Sequence, residues 1–239
     1  MVPPLVLLHG FTHTGASWDP VVAALGERYR ALAPDIRGHG SASDVEPVTL
    51  ASVIGDLAAL GPRRFVLVGY SMGGRLALHI ALALPARVGR LVLIGATPGI
   101  ADAHEREQRR RADERLAAQI EGCAIEEFAR RWAATPVLAG QSPRVAAAAH
   151  ADRLRNTTAG LARALRGLGT GALPPVWDRL GELAAPVTLI VGERDHKFRK
   201  IADEMAAAIS AARIAAVPRA GHAVHLEAPD AVARIIASA

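Results

Sequence analysis

Ser71 sits at the centre of Gly69-Tyr70-Ser71-Met72-Gly73, a G-x-S-x-G pattern that follows an aliphatic run and opens a stretch of good helix formers. Glycines two positions to either side allow a sharp strand-to-helix turn to hold the serine at strained dihedrals, because side chains there would crowd it. A hydroxyl lifted clear in this way acts as nucleophile or base only when an imidazole takes its proton, and the imidazole needs an acid to fix its tautomer. The chain supplies both in the required order: Asp195 follows the run PVTLIVG and His222 follows RIAAVP. Two rivals stand nearby. Glu193 is the acid if Asp195 merely caps the helix near Lys200, and His225 lies three residues beyond His222.

The positioning elements are legible as aliphatic runs of strand length at Leu5–Leu8, Tyr29–Ala33, Phe65–Val68, Leu91–Ile94, Val187–Val191 and Ile214–Val217. They do not alternate polar with apolar, as expected of parallel strands covered on both faces. Helical periodicity occupies Ser17–Leu25, Leu50–Leu60, Met72–Leu84, Lys200–Ile209 and Pro229–Ala237. Strand and helix in alternation predict an α/β fold with a mostly parallel, doubly wound sheet. From about Pro98 to Arg179 no strand is expected; this Ala-, Arg- and Glu-rich, proline-interrupted segment reads as a helical cap over the carboxyl ends of the strands. The domains are therefore a core of residues 1–97 and 180–239 and a cap insertion of residues 98–179. In the charged run HEREQRRRADER, Glu105–Arg109 and Glu107–Arg111 are expected as (i, i+4) pairs.

Composition narrows the partners. The net charge of +5 is carried almost wholly by arginine, but no basic tail and no aromatic-basic interleaving accompany it, so nucleic acid is not expected. An anionic small substrate remains compatible with it. No apolar run approaches the ~20 residues of a membrane span, and the apolar start contains two prolines and reads as a core strand rather than a leader. The lone Cys123 fits a reducing cytoplasm. The histidines show no metal-ligand spacing and no dinucleotide fingerprint follows the first strand, so no cofactor is expected. Gly38 and Gly40 in DIRGHG read as a tight turn, and His9 as a residue bonded to the backbone of its own loop. A monomer or weak homo-oligomer is expected.

With these parts in place, the chain resembles the α/β-hydrolase superfamily along its whole length, through LLHGF, GYSMGG, VGERD and AGHAVHLEAP. The two leading strands usual in that superfamily are not expected, since residue 5 already begins the strand before the first loop. More specific segments, GYSMGGR, TPGIADAHEREQRRRADER, RRWAATPVL, RLRNTTAGLARAL and GERDHKF, are similar to the 2-succinyl-6-hydroxy-2,4-cyclohexadiene-1-carboxylate synthase family, lyases of menaquinone biosynthesis. That resemblance implies Ser71, Asp195 and His222 as the triad and the backbone N–H groups of Phe11 and Met72 as oxyanion donors. It further implies Tyr70, Arg75, Arg109, Trp132 and Arg155 as substrate-facing groups, with Arg153 a competitor for the place given to Arg155. It implies elimination of pyruvate from 2-succinyl-5-enolpyruvyl-6-hydroxy-3-cyclohexene-1-carboxylate with the triad as general base, the arginines pairing with a multi-carboxylate substrate. Read residue by residue, the same parts also suit a serine hydrolase of a small ester or carbon–carbon bond. They suit a non-catalytic binding protein less well, since it would have little need of an intact triad. Trp132, taken alone, reads as core packing, and Arg109 as a solvated residue paired to Glu105.

Overall fold

A computed structural model describes residues 4–60 and 63–238. The strands are β1 (Pro4–Leu8), β2 (Arg30–Leu32), β3 (Phe65–Tyr70), β4 (Val88–Ile94), β5 (Val187–Gly192) and β6 (Ala212–Val217). They form one sheet in the order β2-β1-β3-β4-β5-β6, every neighbouring pair parallel. All six runs expected from the sequence are present, β2 being shorter than its apolar stretch.

The helices are α1 (Asp19–Leu25), α2 (Leu50–Leu60), α3 (Met72–Ala83), α4 (Ala103–Glu121), α5 (Ile125–Ala133), α6 (Pro143–Arg153), α7 (Thr158–Leu168), α8 (His196–Ala208), α9 (Val224–Glu227) and α10 (Pro229–Ser238). α8 starts four residues earlier than its periodicity suggested, because Asp195 caps it. Among the described residues no helix is long and apolar enough to cross a membrane.

The unbroken aliphatic strands make sense once the faces are separated. Val6, Leu8, Leu67, Leu91, Leu93 and Leu189 point to one side, against Val53 and Leu57 of α2, Leu76 and Ile80 of α3 and Met205 of α8. Leu5, Leu7, Val68, Val92, Ile94 and Ile190 point to the other, against Val21 and Leu25 of α1 and Val232 and Ile236 of α10. Successive strand residues face opposite layers, and both layers bury apolar side chains, which is why the central strands do not alternate polar with apolar. Each such side chain contributes about 1.5–3 kcal/mol by leaving water.

Between β4 and β5 the chain makes no strand among the described residues. α4 and α7 pack together over a small core of Ala117, Ile120, Phe128, Leu161 and Leu165, against which Phe11 of the β1 loop and Trp132 also pack. Register pairs Leu8 with Gly69, Tyr70 with Ile94, Ile94 with Ile190 and Gly192 with Val217. The carboxyl ends of β1, β3, β4, β5 and β6 therefore form one row, and the loops leaving them converge under the helical segment.

Candidate active site

Ser71 leaves β3 at φ 51°, ψ −108° and heads α3. Space explains the flanking glycines. A Cβ on Gly69 would strike the Gly73 backbone, and one on Gly73 would strike the carbonyls of Leu8 and His9. The turn closes only because both are absent, and it holds Ser71 in a region that an L side chain rarely visits.

The relay is assembled. Ser71 Oγ stands 3.2 Å from His222 Nε2, and His222 Nδ1 stands 2.7 Å from Asp195 Oδ2. Nδ1–H donates to the carboxylate, which leaves Nε2 to accept from the hydroxyl. Asp195 combines both roles considered from the sequence: its other oxygen accepts from the Phe198 N–H and caps α8. Glu193 is occupied elsewhere, accepting from the Arg219 N–H at 2.8 Å. His225 is fully buried between the Tyr70 and Trp18 rings and does not replace His222.

Two contacts with the imidazole were not read from the sequence. Phe198 lies against it, ring centroids 4.4 Å apart. Gly95, at the end of β4 with φ +53°, leaves room for it, since a Cβ there would lie 2.8 Å from His222 Cε1. The GAT that ends β4 offered a glycine in the right register but nothing to say that a ring would pass it.

Phe11 and Met72 both border the cleft that contains Ser71 and His222. Met72 is the first residue of α3, where N–H groups have no acceptor within the helix. His9 steadies the other loop. It receives the Ile36 N–H on Nε2 at 2.9 Å, so Nδ1 carries the proton given to the Gly10 carbonyl at 2.9 Å. Burial pushes His9 down to about 4, keeping it neutral. Gly38 and Gly40 make the expected turn, Gly38 N–H donating to the Ala42 carbonyl, followed by a single 3-10 turn.

The cleft has a volume of about 790 Å³ and is walled by both layers: Ser71, Arg75, Gly95 and His222 below, Arg109, Leu116, Trp132 and Leu165 above. Trp132 performs both roles weighed for it, bordering the cleft and packing edge-on to Phe11 at 5.2 Å. Tyr70 is buried beneath the relay, its ring 5.3 Å from that of His222. Burial pushes its phenol up.

The arginines differ. Arg75 is 6% exposed; among the described residues it makes one hydrogen bond, Nη2 to the Leu168 carbonyl at 3.3 Å, and Nε has none. Burial, reinforced by the like charge of Arg109 and opposed by Asp113, holds it down to about 10. Arg109 pairs with Asp113 at 2.7 Å rather than with Glu105. Glu107 bonds both Arg110 and Arg111.

Arg155 does not join this cleft. It is 64% exposed and borders two other concavities, beside Asp35 and Asp152 respectively. Arg153 is the buried one, 1% exposed, with Nε, Nη1 and Nη2 lacking a hydrogen-bond partner among the described residues and Tyr70 among the groups acting on its charge, but it does not border the cleft either. The reason lies on either side of the pair. Asp152 is drawn into the core by His13 Nδ1 (2.9 Å) and by the N–H and hydroxyl of Thr14, and Asn156 by the Thr12 carbonyl and the Gly40 N–H. The turn between these anchors sends Arg153 inward and Arg155 outward. Sequence spacing alone carried no sign of either anchor.

A parallel sheet whose carboxyl edge presents a hydroxyl–imidazole–carboxylate relay at a strained strand-to-helix turn, roofed by inserted helices, defines an α/β-hydrolase-type catalyst. The chain belongs to the alpha/beta hydrolase family, whose model matches residues 5–235. It is 34% identical to the 2-succinyl-6-hydroxy-2,4-cyclohexadiene-1-carboxylate synthase of Salmonella paratyphi C (strain RKS4594), over 98% of this chain and 94% of that protein. It is 36% identical to a Bacillus subtilis (strain 168) protein that bears the same synthase name provisionally, over 97% of this chain and 88% of that protein. Among solved structures it resembles MenH from S. aureus, with TM-score 0.93 and 28% identity, covering 100% of this chain and 93% of that one. It also resembles a thermophilic esterase from Thermogutta terrifontis, with TM-score 0.83 and 26% identity, covering 99% and 88%.

Proposed function

We propose that this enzyme is a carbon–oxygen lyase of menaquinone biosynthesis that eliminates pyruvate from 2-succinyl-5-enolpyruvyl-6-hydroxy-3-cyclohexene-1-carboxylate to give 2-succinyl-6-hydroxy-2,4-cyclohexadiene-1-carboxylate. The observation that carries the reading is Arg75. A buried guanidinium with no carboxylate within 4 Å among the described residues borders the same cleft as Ser71 and His222. A buried charge requires a partner, and a carboxylated ligand supplies one. The names of the relatives are consistent with such a ligand.

Ser71, giving its proton to His222, acts as a base rather than as a covalent nucleophile. It removes the ring proton beside the succinyl ketone; the extended enolate then expels the enolpyruvyl oxygen across the ring, and the released pyruvate enolate takes up one proton at its methylene carbon, balancing the one removed. The Phe11 and Met72 N–H groups stabilise the enolate oxygen, as donors of this kind stabilise a tetrahedral oxyanion. Asp195 holds the imidazole tautomer and stabilises its charged form. Arg75 and Arg109, which border the cleft, bind the carboxylates and Trp132 shapes its wall; Arg153, the buried one of its pair, adds positive charge from outside that lining, and Tyr70 underlies the relay. In this reading residues 98–179 supply the roof and two of the three guanidiniums, the core supplies the base, and the enzyme works in the cytoplasm on a small anionic substrate without a cofactor.

Incubation with the isolated intermediate, following pyruvate against spontaneous decay, tests the proposal. Acceleration is expected, and none would overturn it. One observation favours a second reading: the esterase from Thermogutta terrifontis shares the fold closely, and the same relay geometry serves acyl transfer. A burst of nitrophenol from a nitrophenyl ester, with no pyruvate release, would mark a serine hydrolase.

A further inference from the structure

One buried carboxylate on the roof side of the cleft is left unused by the lyase reading. Asp113 of α4 is 4% exposed. Its Oδ1 accepts from Arg109 Nε at 2.7 Å and its Oδ2 from the Gly171 N–H at 3.3 Å. A Cβ on Gly169 would stand 2.8 Å from that same Oδ2, so the turn after α7 is pressed against the carboxylate. The turn begins at Leu168, whose carbonyl receives Arg75. Two arginines bordering the cleft thus meet one buried corner, Arg109 from α4 at the anion itself and Arg75 from α3 at the Leu168 carbonyl where the turn begins. The acids that do border the cleft, Asp102, Glu105 and Glu204, are exposed, where water screens them.

We propose that Asp113 is a positioning residue and built-in counter-ion that sets how many carboxylates a ligand must carry to be held in the cleft. The inference rests on the carboxylate-binding reading of Arg75 and Arg109. One buried negative charge, bonded to Arg109 and acting on Arg75 only through space, leaves the two guanidiniums with roughly one net positive charge. A lone carboxylate then gains little over what Asp113 already supplies, whereas a ligand with two or more carboxylates engages both arginines together. Asp113 also engages Arg109 through Nε, so its bond leaves the two Nη groups for pairing with a ligand carboxylate. Its charge supports the charged form of Arg75 against burial.

Titration calorimetry with acetate and with succinate, on wild type and Asp113→Asn, tests this. Asparagine keeps the shape and one of the two acceptors and removes the charge. Both ligands are expected to bind the variant more tightly, acetate by about tenfold, and the succinate-to-acetate selectivity is expected to shrink. A double-mutant cycle separates a counter-ion from a scaffold. Asp113→Asn introduced into Arg109→Gln is expected to restore part of the succinate affinity lost in Arg109→Gln; a purely structural Asp113 would lower it further. Asp113→Ser, which keeps an acceptor near Gly171, is expected to shift acetate binding in the same direction. Unchanged or weaker acetate binding in folded variants would overturn the inference alone. Failure of wild type to bind succinate would overturn the carboxylate-binding reading and the inference with it.

Discussion

Replacing Arg75 by methionine separates its binding role from any structural one. The charged guanidinium occupies a site where burial holds it down to about 10, a displacement of about 3 kcal/mol against the charged form. Beside the through-space support of Asp113 already contained in that figure, the guanidinium's one hydrogen bond among the described residues is a long contact with the Leu168 carbonyl, charge-assisted and of about 1.5 kcal/mol at 3.3 Å. Methionine keeps much of the apolar stem and removes both terms. Folded stability is therefore expected to stay level or to rise by up to about 2 kcal/mol, a gain of no more than about 8 °C in Tm for a domain of this size. Activity moves the other way. A substrate carboxylate deprived of its buried guanidinium loses about 2–5 kcal/mol, so kcat/KM for pyruvate release falls between about 30-fold and a few thousand-fold. Arg75→Lys keeps a charge but not the planar fork and falls between the two. Thermal unfolding by circular dichroism gives the first quantity, and pyruvate release coupled to NADH oxidation by lactate dehydrogenase gives the second. An Arg75→Met enzyme that melts several degrees below wild type, with kcat/KM within threefold of it, would refute the reasoning: Arg75 would then be a scaffold residue.

Asp195→Asn is expected to lower kcat by about 10²–10⁴ with little loss of stability, because asparagine caps α8 almost as well; Asp195→Ala should lose about 1 kcal/mol in addition, measured by urea unfolding. Arg153→Met should raise KM several-fold while Arg155→Ala leaves KM within twofold, since only the former is buried, with no hydrogen-bond partner among the described residues; equal effects on KM would reverse the assignment. Acid should destabilise the fold steeply. Burial pushes His9 and His79 down to about 4 and His39 to about 3, so between their ordinary value near 6.5 and about pH 4 the unfolded chain binds protons that the folded one does not. Stability then falls with pH across that window by up to about 1.4 kcal/mol per pH unit for each histidine, and urea midpoints at pH 7 and pH 5 measure it.

The catalytic relay was legible before any coordinates because its parts sit at the ends of aliphatic runs, and a parallel sheet brings strand ends into one row. Gly69 and Gly73 announced the turn around Ser71 because only a bare Cα fits between the Leu8 and His9 carbonyls and the start of α3. Asp195 and His222 were assigned by order and register, which local sequence encodes. The cap could be outlined as helical from its composition. Its arginines could not be assigned to inside or outside, because Arg153 and Arg155 differ by a turn whose direction is set by Asp152 on His13 and Thr14, and by Asn156 on Thr12 and Gly40, residues more than a hundred positions away. The partner of Arg109 was misjudged for a related reason. Glu105 and Asp113 are both four residues from it, and only the packing of the turn at Gly169 and Gly171 buries Asp113 and makes it the partner. Sequence by itself determined the sheet, the strained serine and the proton relay, since these follow from periodicity and local sterics. Tertiary structure alone decided which charges are left without a counter-ion, because burial and pairing are properties of contacts between distant segments.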